Sequence, residues 1–261
     1  MKKHFILFIL ASLISFGISA QVSKSDTVNK VDASGKKQGY WKKYVNDTLK
    51  YEGHFKDDKP TGTFTYYYGS GKVKAVSKFS ADSKFCSTIL YFENGKHEAE
   101  GFYTNTKKDS VWKYYSDNDT LISEEHYINC LKNGTWKFYY KNGPINQEVN
   151  WVNGVRNGPW KMYYSDGKVK SDCKIVNGKI EGLFKYYYPD NKVYMSGVYK
   201  GGLKDGVWMF FDEKGIGDKR ETYINGVLQK KETLVDGKWA ISTEDTKKIE
   251  PITPTEGTEK E

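Results

Sequence analysis

Aromatic and polar positions alternate in a short phrase that recurs along the chain. Each copy begins with an aromatic anchor and continues as a run of alternating aromatics, as in GTWKFYY, GPWKMYY and GLFKYYY. The anchors are Trp41, Phe64, Trp112, Trp136, Trp160, Phe184 and Trp208, and from Phe64 onward they are spaced by 24 residues or a multiple of 24. The missing member falls on Thr88, in the degenerate copy STILYFENGK. A fixed period of this length indicates a tandem-repeat fold.

A second row, mainly aromatic, keeps the same period nine residues before the next anchor position: Phe55, Phe79, Tyr103, Tyr127, Trp151, Ile175, Tyr199 and Tyr223. The alternating run predicts one strand and the second row another, separated by a turn such as Asn142-Gly143 or Asp166-Gly167. A second turn is predicted at Asn133-Gly134, Asn157-Gly158 and Asp205-Gly206. The fold class is therefore all-β, an elongated single antiparallel sheet of about eight tandem 24-residue β-hairpin repeats, roughly 75 Å long at about 4.8 Å per strand.

The two faces of such a sheet differ in chemistry. The anchors and the second row are expected opposite one another on one face, as a core or as a platform that stacks sugars or choline. On the other face a lysine follows the anchor by one place, at Lys42, Lys113, Lys137, Lys161 and Lys185. Tyrosines follow by three places, at Tyr44, Tyr67, Tyr91, Tyr115, Tyr139, Tyr163 and Tyr187, and acids are expected opposite them at Glu52, Glu100, Glu124, Glu148 and Asp172.

The regular part of this second face is the candidate binding surface, formed by Lys113, Lys137, Lys161, Lys185, Tyr115, Tyr139, Tyr163 and Tyr187. A strip of lysine and tyrosine can meet anionic lipid head groups or acidic polymers. The same row can instead be a solubilising device that prevents an exposed sheet from sticking to others. Nucleic acid is not an expected partner, because the chain carries an export signal.

The ends of the chain differ from the repeats. Residues 1–20 have a basic start, an apolar run and a small-residue exit, which is typical of a signal peptide, although an uncleaved anchor helix is an alternative. Residues 21–38 are interpreted as a leader, 39–231 as the repeat domain, 232–239 as a degenerate C-terminal cap and 240–261 as an acidic, disordered tail. The expected location is outside the inner membrane: periplasmic, outer-envelope or secreted.

Composition and side-chain chemistry argue against an enzyme. The chain has 261 residues, 38% of them hydrophobic and 28% charged, and carries a formal charge of +8, so it is too polar for a multispanning membrane protein. Cys86, Cys130 and Cys173 fall at different positions of non-adjacent repeats, so unpaired thiols are expected. The histidines are too far apart for a shared site, and the acidic row is explained more simply by a cross-strand charge ladder than by glycoside hydrolysis. No catalytic residue, metal or cofactor is expected.

The phrase Gly-x-Trp-x-x-Tyr-Tyr-x-x-Gly is best preserved in Gly134, Trp136, Tyr139, Tyr140 and Gly143. It resembles the MORN-repeat variant family, whose bacterial members are often labelled antitoxin components, and the resemblance covers about three-quarters of the chain. The resemblance implies an elongated sheet of hairpins that associates with membrane phospholipids or scaffolds other proteins, and it brings no catalytic residue. The phrase is also similar to choline-binding hairpin repeats, which use shorter units.

The expected function is an exported, non-enzymatic repeat scaffold that binds a protein or a cell-envelope surface. The alternative is a module that binds envelope glycan or anionic phospholipid. The partner is thus a protein or an envelope lipid or glycan, and self-association along the sheet edges is possible. An antitoxin role is discounted, because a cytoplasmic antitoxin would not be exported.

Overall fold

The computed structural model describes residues 28–241, which form only strands, bridges, bends and turns. The predicted signal peptide and nearly all of the predicted acidic tail lie outside the described residues. The fold class is confirmed as all-β and built from tandem antiparallel hairpins. The strands are β1 (Lys30–Val31), β2 (Lys37–Val45), β3 (Thr48–Lys56), β4 (Lys59–Tyr67), β5 (Val73–Phe79), β6 (Phe85–Tyr91), β7 (His97–Thr104), β8 (Lys107–Tyr115), β9 (Leu121–Ile128), β10 (Leu131–Lys132), β11 (Gly134–Tyr139), β12 (Ile145–Val152), β13 (Val155–Tyr163), β14 (Val169–Val176), β15 (Lys179–Tyr187), β16 (Val193–Lys200), β17 (Leu203–Phe211), β18 (Gly217–Ile224), β19 (Val227–Val235) and β20 (Lys238–Ile241).

The described chain falls into two compact units. The first runs to Trp112 and includes Ser116–Asp119, and the second contains Lys113–Tyr115 and everything from Thr120 onward. In the first unit, β2 to β7 pair antiparallel in sequence order. In the second unit, β11 pairs with β9 and β12, and the antiparallel order then continues to β20. The candidate binding residues lie in the second unit.

The short turns between hairpins lie four residues earlier than the sequence predicts. Asn153-Gly154, for example, joins β12 to β13 with φ values of 48° and 85°, which is the geometry of a type I′ turn. Gly158 and Gly206, which were predicted turn residues, lie inside β13 and β17. The prediction was wrong because the glycine of an Asn-Gly or Asp-Gly pair can also adopt a positive φ inside a β-bulge. The predicted turns at Asn142-Gly143 and Asp166-Gly167 do lie between strands.

A bulge explains the glycine two places before the anchors, a position that Ser110 takes before Trp112 with a φ of 57°. In β13, Trp160 pairs with Val149 whereas Arg156 pairs with Trp151, so β13 has more residues than β12 across this stretch. Gly158 lies in the extra segment with a φ of 117°. A side chain costs roughly 1–2 kcal/mol in the left-handed region, and glycine avoids that cost. The same position has positive φ at Gly39, Gly62, Gly134, Gly182 and Gly206.

The degenerate repeat lacks both the bulge and the ring. β5 and β6 pair without a register shift, and Ser77 faces Thr88 at the position where an anchor would lie. The hydroxyl oxygens of Ser77 and Thr88 are 2.9 Å apart, and both residues are buried. A buried hydrogen bond therefore replaces the anchor ring in this copy.

The anchors and the second row share one face of the sheet, but the prediction that they lie opposite one another was wrong. The cross-strand partner of Trp41 is Gly53, and that of Phe184 is Gly197. At Gly53 and Gly197 the anchor of the following repeat lies directly on the glycine, and a Cβ on Gly197 would be 2.2 Å from the Trp208 ring, whereas the partners of Trp136 and Trp160 are Val149 and Cys173. The second-row ring then packs edge-on against the anchor, as Tyr199 does against Trp208 at 5.0 Å between ring centroids.

Candidate functional site

The face opposite the anchors, called here the ladder face, carries alternating lysine and carboxylate side chains. In the second unit Lys137 pairs with Glu124 on one side and Glu148 on the other. Lys161 pairs in the same way with Glu148 and Asp172, and Asp172 pairs in turn with Lys185. The acids therefore lie opposite lysines, and the prediction that they lie opposite tyrosines was wrong. The tyrosines lie beyond these pairs in the hairpin, as Tyr163 does opposite Val169.

The tyrosines nevertheless reach the acids through their hydroxyl groups. Tyr163 donates a hydrogen bond to Glu148 at 2.7 Å. Partial burial, and then the hydrogen bond to a neighbouring glutamate, raise the pKa of Tyr139 and Tyr163 to about 12. Both hydroxyls are therefore protonated at neutral pH and act as donors along the ladder. Burial and the charge of Asp172 also raise the pKa of Tyr187.

The same constellation occurs in the first unit around Glu52. Tyr40 and Tyr67 each donate a hydrogen bond to this carboxylate at 2.6 Å, and the Lys42 ammonium is 3.3 Å away. These hydrogen bonds and the lysine lower the pKa of Glu52. A carboxylate held between lysine and tyrosine is thus a repeated element of the ladder face, as the predicted charge ladder requires.

The ladder face balances its own charge. In the second unit three lysines (Lys137, Lys161, Lys185) face three carboxylates (Glu124, Glu148, Asp172) in the registers described. The contact between Lys137 and Glu148 is 4.0 Å long, with the two side chains 38% and 27% exposed. Lys113 and Tyr115 occupy the equivalent positions at the end of β8. The row therefore presents alternating charges and not a continuous positive strip.

A shallow, open concavity of about 620 Å³ lies on this face. Its lining is almost entirely polar and consists of Glu124, His126, Gly134, Thr135, Lys137, Glu148, Asn150, Pro159 and Lys161. Such a surface can exchange hydrogen bonds and ion pairs with a polar partner. Within residues 28–241 no group of three or more histidine, cysteine or acidic residues is arranged to hold a metal ion.

Exposed aliphatic side chains line the short-turn end of the ladder face, a feature that our sequence analysis missed. Each pair flanks a two-residue turn, as Val152 and Val155 do in paired positions with 47% exposure each. The row, called here the tip row, consists of Ile128, Leu131, Val152, Val155, Leu203, Ile224 and Val227, all between 47% and 60% exposed. The 24-residue spacing of Ile128 and Val152, and of Leu131 and Val155, is the signal that could have found it.

Six of the seven anchors are buried and are not available to a ligand. Trp112, Trp160 and Trp208 are at most 1% exposed, and Phe64, Trp136 and Phe184 are also buried, whereas Trp41 is partly exposed. The indole nitrogen of Trp112 donates to the Phe102 carbonyl at 3.0 Å, which ties the ring to the preceding strand. Of the two readings of the aromatic stripe, burial therefore supports the core over the sugar-stacking platform.

Two further rows also stabilise the stack of repeats and were missed. A tyrosine four places after the anchor donates to a backbone carbonyl 23 residues on: Tyr140 to Tyr163 at 2.7 Å and Tyr164 to Tyr187 at 2.6 Å. On the anchor face, cations four places before the anchors lie over aromatic rings, as Lys204 does at 4.4 Å from the Trp208 centroid. Both rows could have been found from their 24-residue period.

Cys86 and Cys173 are buried thiols, and Cys130 is exposed in a two-residue turn. Burial raises the pKa of Cys173 to about 12 and also raises that of Cys86. Between residues 28 and 241, no helix is long and apolar enough to cross a membrane.

Comparisons with known proteins bear on the repeats. A family model described as "MORN repeat variant" matches residues 88–105, 108–129, 132–153, 156–177 and 180–200. No curated protein matches the chain. Among solved structures, a point mutant of S. aureus TarM, in complex with fondaparinux, alpha-GlcNAc-glycerol and UDP, aligns with a TM-score of 0.21 at 16% identity over 41% of this chain and 19% of that chain. A second TarM structure aligns with a TM-score of 0.20 at 17% identity over 42% and 19%, so the chain spans about a fifth of these proteins. The five matches are consecutive and lie within the tandem hairpins, so residues 88–200 match five successive copies of the MORN repeat variant.

Proposed function

We propose that this protein is an exported, non-enzymatic repeat scaffold that binds a protein or a cell-envelope surface through its ladder face. The observation that carries the proposal is the tip row, in which aliphatic side chains about half exposed recur in register with the repeat. Exposed apolar side chains rimmed by polar ones are typical of interaction sites. The adjacent lysine, carboxylate and tyrosine rows supply alternating donors and acceptors that favour a matching polar rim.

The charge balance of the ladder face favours a protein over an anionic bilayer as the partner. A lysine near an anionic membrane contributes on the order of 1 kcal/mol of attraction. Here each of Lys137, Lys161 and Lys185 has a carboxylate as its cross-strand neighbour, and this carboxylate offsets the attraction. The tip row needs no net charge, because it would bind by removing apolar surface from water.

Affinity capture with matched variants tests the scaffold. Tagged protein and a tip-row variant, Val152→Thr with Val155→Thr, are used to capture partners from the native envelope, and the eluates are compared by mass spectrometry at low and high salt. We expect a dominant protein that is retained at high salt by the parent chain and lost by the variant. A control variant, Lys161→Gln, should retain that protein at high salt. Equal capture by the parent and the tip-row variant would refute the tip row as the contact surface.

The alternative is a module for envelope glycan or anionic phospholipid. The partial exposure of the ladder lysines favours it, since the Lys137 side chain is 38% exposed. Co-sedimentation with phosphatidylglycerol vesicles tests the lipid form, and wall fragments that change tryptophan fluorescence test the glycan form. Vesicle binding that falls steeply with salt, and that is lost when Lys113, Lys137, Lys161 and Lys185 are replaced by glutamine, would place this alternative ahead of the protein scaffold.

A further inference from the structure

The charged row of the ladder face alternates in sign along the second unit. Each of the strands β9, β11, β12, β13, β14 and β15 contributes one charged side chain to this row, in the order Glu124, Lys137, Glu148, Lys161, Asp172 and Lys185. All six side chains are partly exposed. A partner surface of one charge sign would therefore meet a like charge on every second strand.

A row of alternating charges with an even number of members is complementary to its own reverse. Reversed end to end, the row gives three pairs of opposite charge: Glu124 with Lys185, Lys137 with Asp172, and Glu148 with Lys161. A two-fold axis parallel to the strands, placed between β12 and β13, relates two copies of the chain in this way. The axis preserves the position along the strand, so each row of one copy faces the same row of the other.

We propose that the ladder face of the second unit binds a second copy of this chain, face to face, about this two-fold axis. The inference rests on the proposed function, because it names a protein partner for the same ladder face. Two sheets packed face to face lie about 10 Å apart, with their strand directions within about 30° of each other. The charged rows of the two copies therefore stay opposite one another near the axis.

The apolar side chains at the short-turn end fit the same arrangement. Val152 and Val155 lie on either side of the axis, and each is 47% exposed. The two-fold operation places Val152 of one copy over Val155 of the other, so that the four side chains form one cluster. Leu131, which is 50% exposed, comes to lie over the partly exposed Val176. These contacts remove apolar surface from water in both copies.

The area that this arrangement covers is that of a standard protein interface. Six strands at about 4.8 Å each extend over about 29 Å, and an eight-residue strand such as β12 is about 26 Å long. The covered surface is therefore about 750 Å² on each copy. A stable complex of standard size covers roughly 800 Å² per partner.

Charge reversal tests the proposal, because the two-fold axis doubles its effect. In either of the variants Glu148→Lys and Lys161→Glu, a pair of copies would have two like-charge contacts across the axis. We expect the parent chain at about 50 μM to sediment with twice the mass of one chain. Each single variant should have a dissociation constant at least about 100-fold higher. An equal mixture of the two variants should dimerise again, because the reversed charges then face opposite ones.

The matched control is Lys42→Glu. Lys42 forms the same kind of ladder pair, 3.3 Å from Glu52, but it lies on none of the six strands. This variant should sediment like the parent chain, and circular dichroism should give the same spectrum for all variants. Mixing cannot rescue a variant that has failed to fold, so recovery in the mixture separates pairing of the faces from folding.

Several outcomes would overturn the proposal: a monomeric parent chain, single variants that dimerise as the parent does, or a mixture that stays monomeric. Single variants that dimerise like the parent would indicate pairing along the sheet edges. A monomeric parent that still captures an envelope protein would overturn this inference alone and leave the proposed function standing. Dimers that are lost in the single variants and recovered in the mixture would support the inference, whatever else the chain captures.

Discussion

The contact between Gly197 and Trp208 gives the sharpest test of how the repeats stack. We predict that Gly197→Ala destabilises the second unit although glycine is the poorer strand former. The new Cβ would be 2.2 Å from the ring, whereas an ordinary contact needs at least 3.4 Å, so the indole must move by about 1.2 Å. Trp208 is fully buried, so this movement would disturb its packed neighbours.

The expected loss of unfolding free energy combines two destabilising contributions and one stabilising contribution. Overpacking of a filled core costs about 1–3 kcal/mol, and loss of the hydrogen bond from the Trp208 indole to the Val198 carbonyl, 3.3 Å long, costs about 0.5–1.5 kcal/mol. Alanine loses less conformational entropy on folding than glycine does, which stabilises the fold by roughly 0.5–1 kcal/mol. The net loss of unfolding free energy should therefore be about 2 kcal/mol, within a range of about 0.5–4 kcal/mol.

Urea unfolding followed by circular dichroism and tryptophan fluorescence measures this loss. Gly69→Ala is the matched control, because a Cβ on Gly69 meets nothing within 4 Å and should change the free energy of unfolding by less than about 0.5 kcal/mol. Gly101→Ala should repeat the effect in the first unit, where the Cβ would be 2.3 Å from Trp112. If Gly197→Ala unfolds at the same urea concentration as Gly69→Ala, the ring does not depend on the glycine and the reasoning fails.

Three further predictions test the bulge, an ion pair and the thiols. Gly206→Ala has open space around its Cβ but a φ of 69°, so urea unfolding should show a loss of about 1–2 kcal/mol that Gly206→Asn largely avoids. The hydrogen bonds from Arg220 and Lys230 lower the pKa of Glu232 to about 2, so its stabilising effect is complete above the unfolded pKa near 4.3 and is lost as pH falls through 2. Thermal melts of parent and Glu232→Gln should accordingly differ at pH 5 and converge towards pH 2, and a constant difference would contradict this. A thiol reagent should label exposed Cys130 quickly and buried Cys86 and Cys173 only on unfolding, and three equal rates would contradict that burial.

The repeat period, the strand type and the two-sided chemistry followed from the sequence alone. The aromatic rows repeat every 24 residues, and within each copy only the alternation of a β-strand fits the sequence. Successive side chains in a strand point to opposite faces whichever strand lies beside it. The lysine, acid and tyrosine rows were thus assigned to the correct face. The existence of a cross-strand charge ladder was also predicted correctly.

Tertiary structure decided which residue pairs with which. An Asn-Gly or Asp-Gly pair can form either a two-residue turn or a bulge, and the choice made Gly158 a bulge residue and moved the turn to Asn153-Gly154. The pairing of the two strands of each hairpin placed acids opposite lysines instead of tyrosines, as with Lys161 and Asp172. Local sequence does not contain this information, because register depends on the combined fit of both neighbouring strands.

For the candidate site, too, the sequence determined one part and the tertiary structure the other. Periodicity identified Lys113, Lys137, Lys161 and Lys185 as a row, but exposure and cross-strand neighbours decided that the row is balanced in charge. The exposure of the tip row emerged only from the structure, because the sequence does not show whether an aliphatic residue in a strand is covered or exposed. The amino-acid sequence therefore determines the period and the alternation, which are local properties of the chain. Burial and pairing depend on the residues of the neighbouring strands, and only the folded structure shows which residues those are.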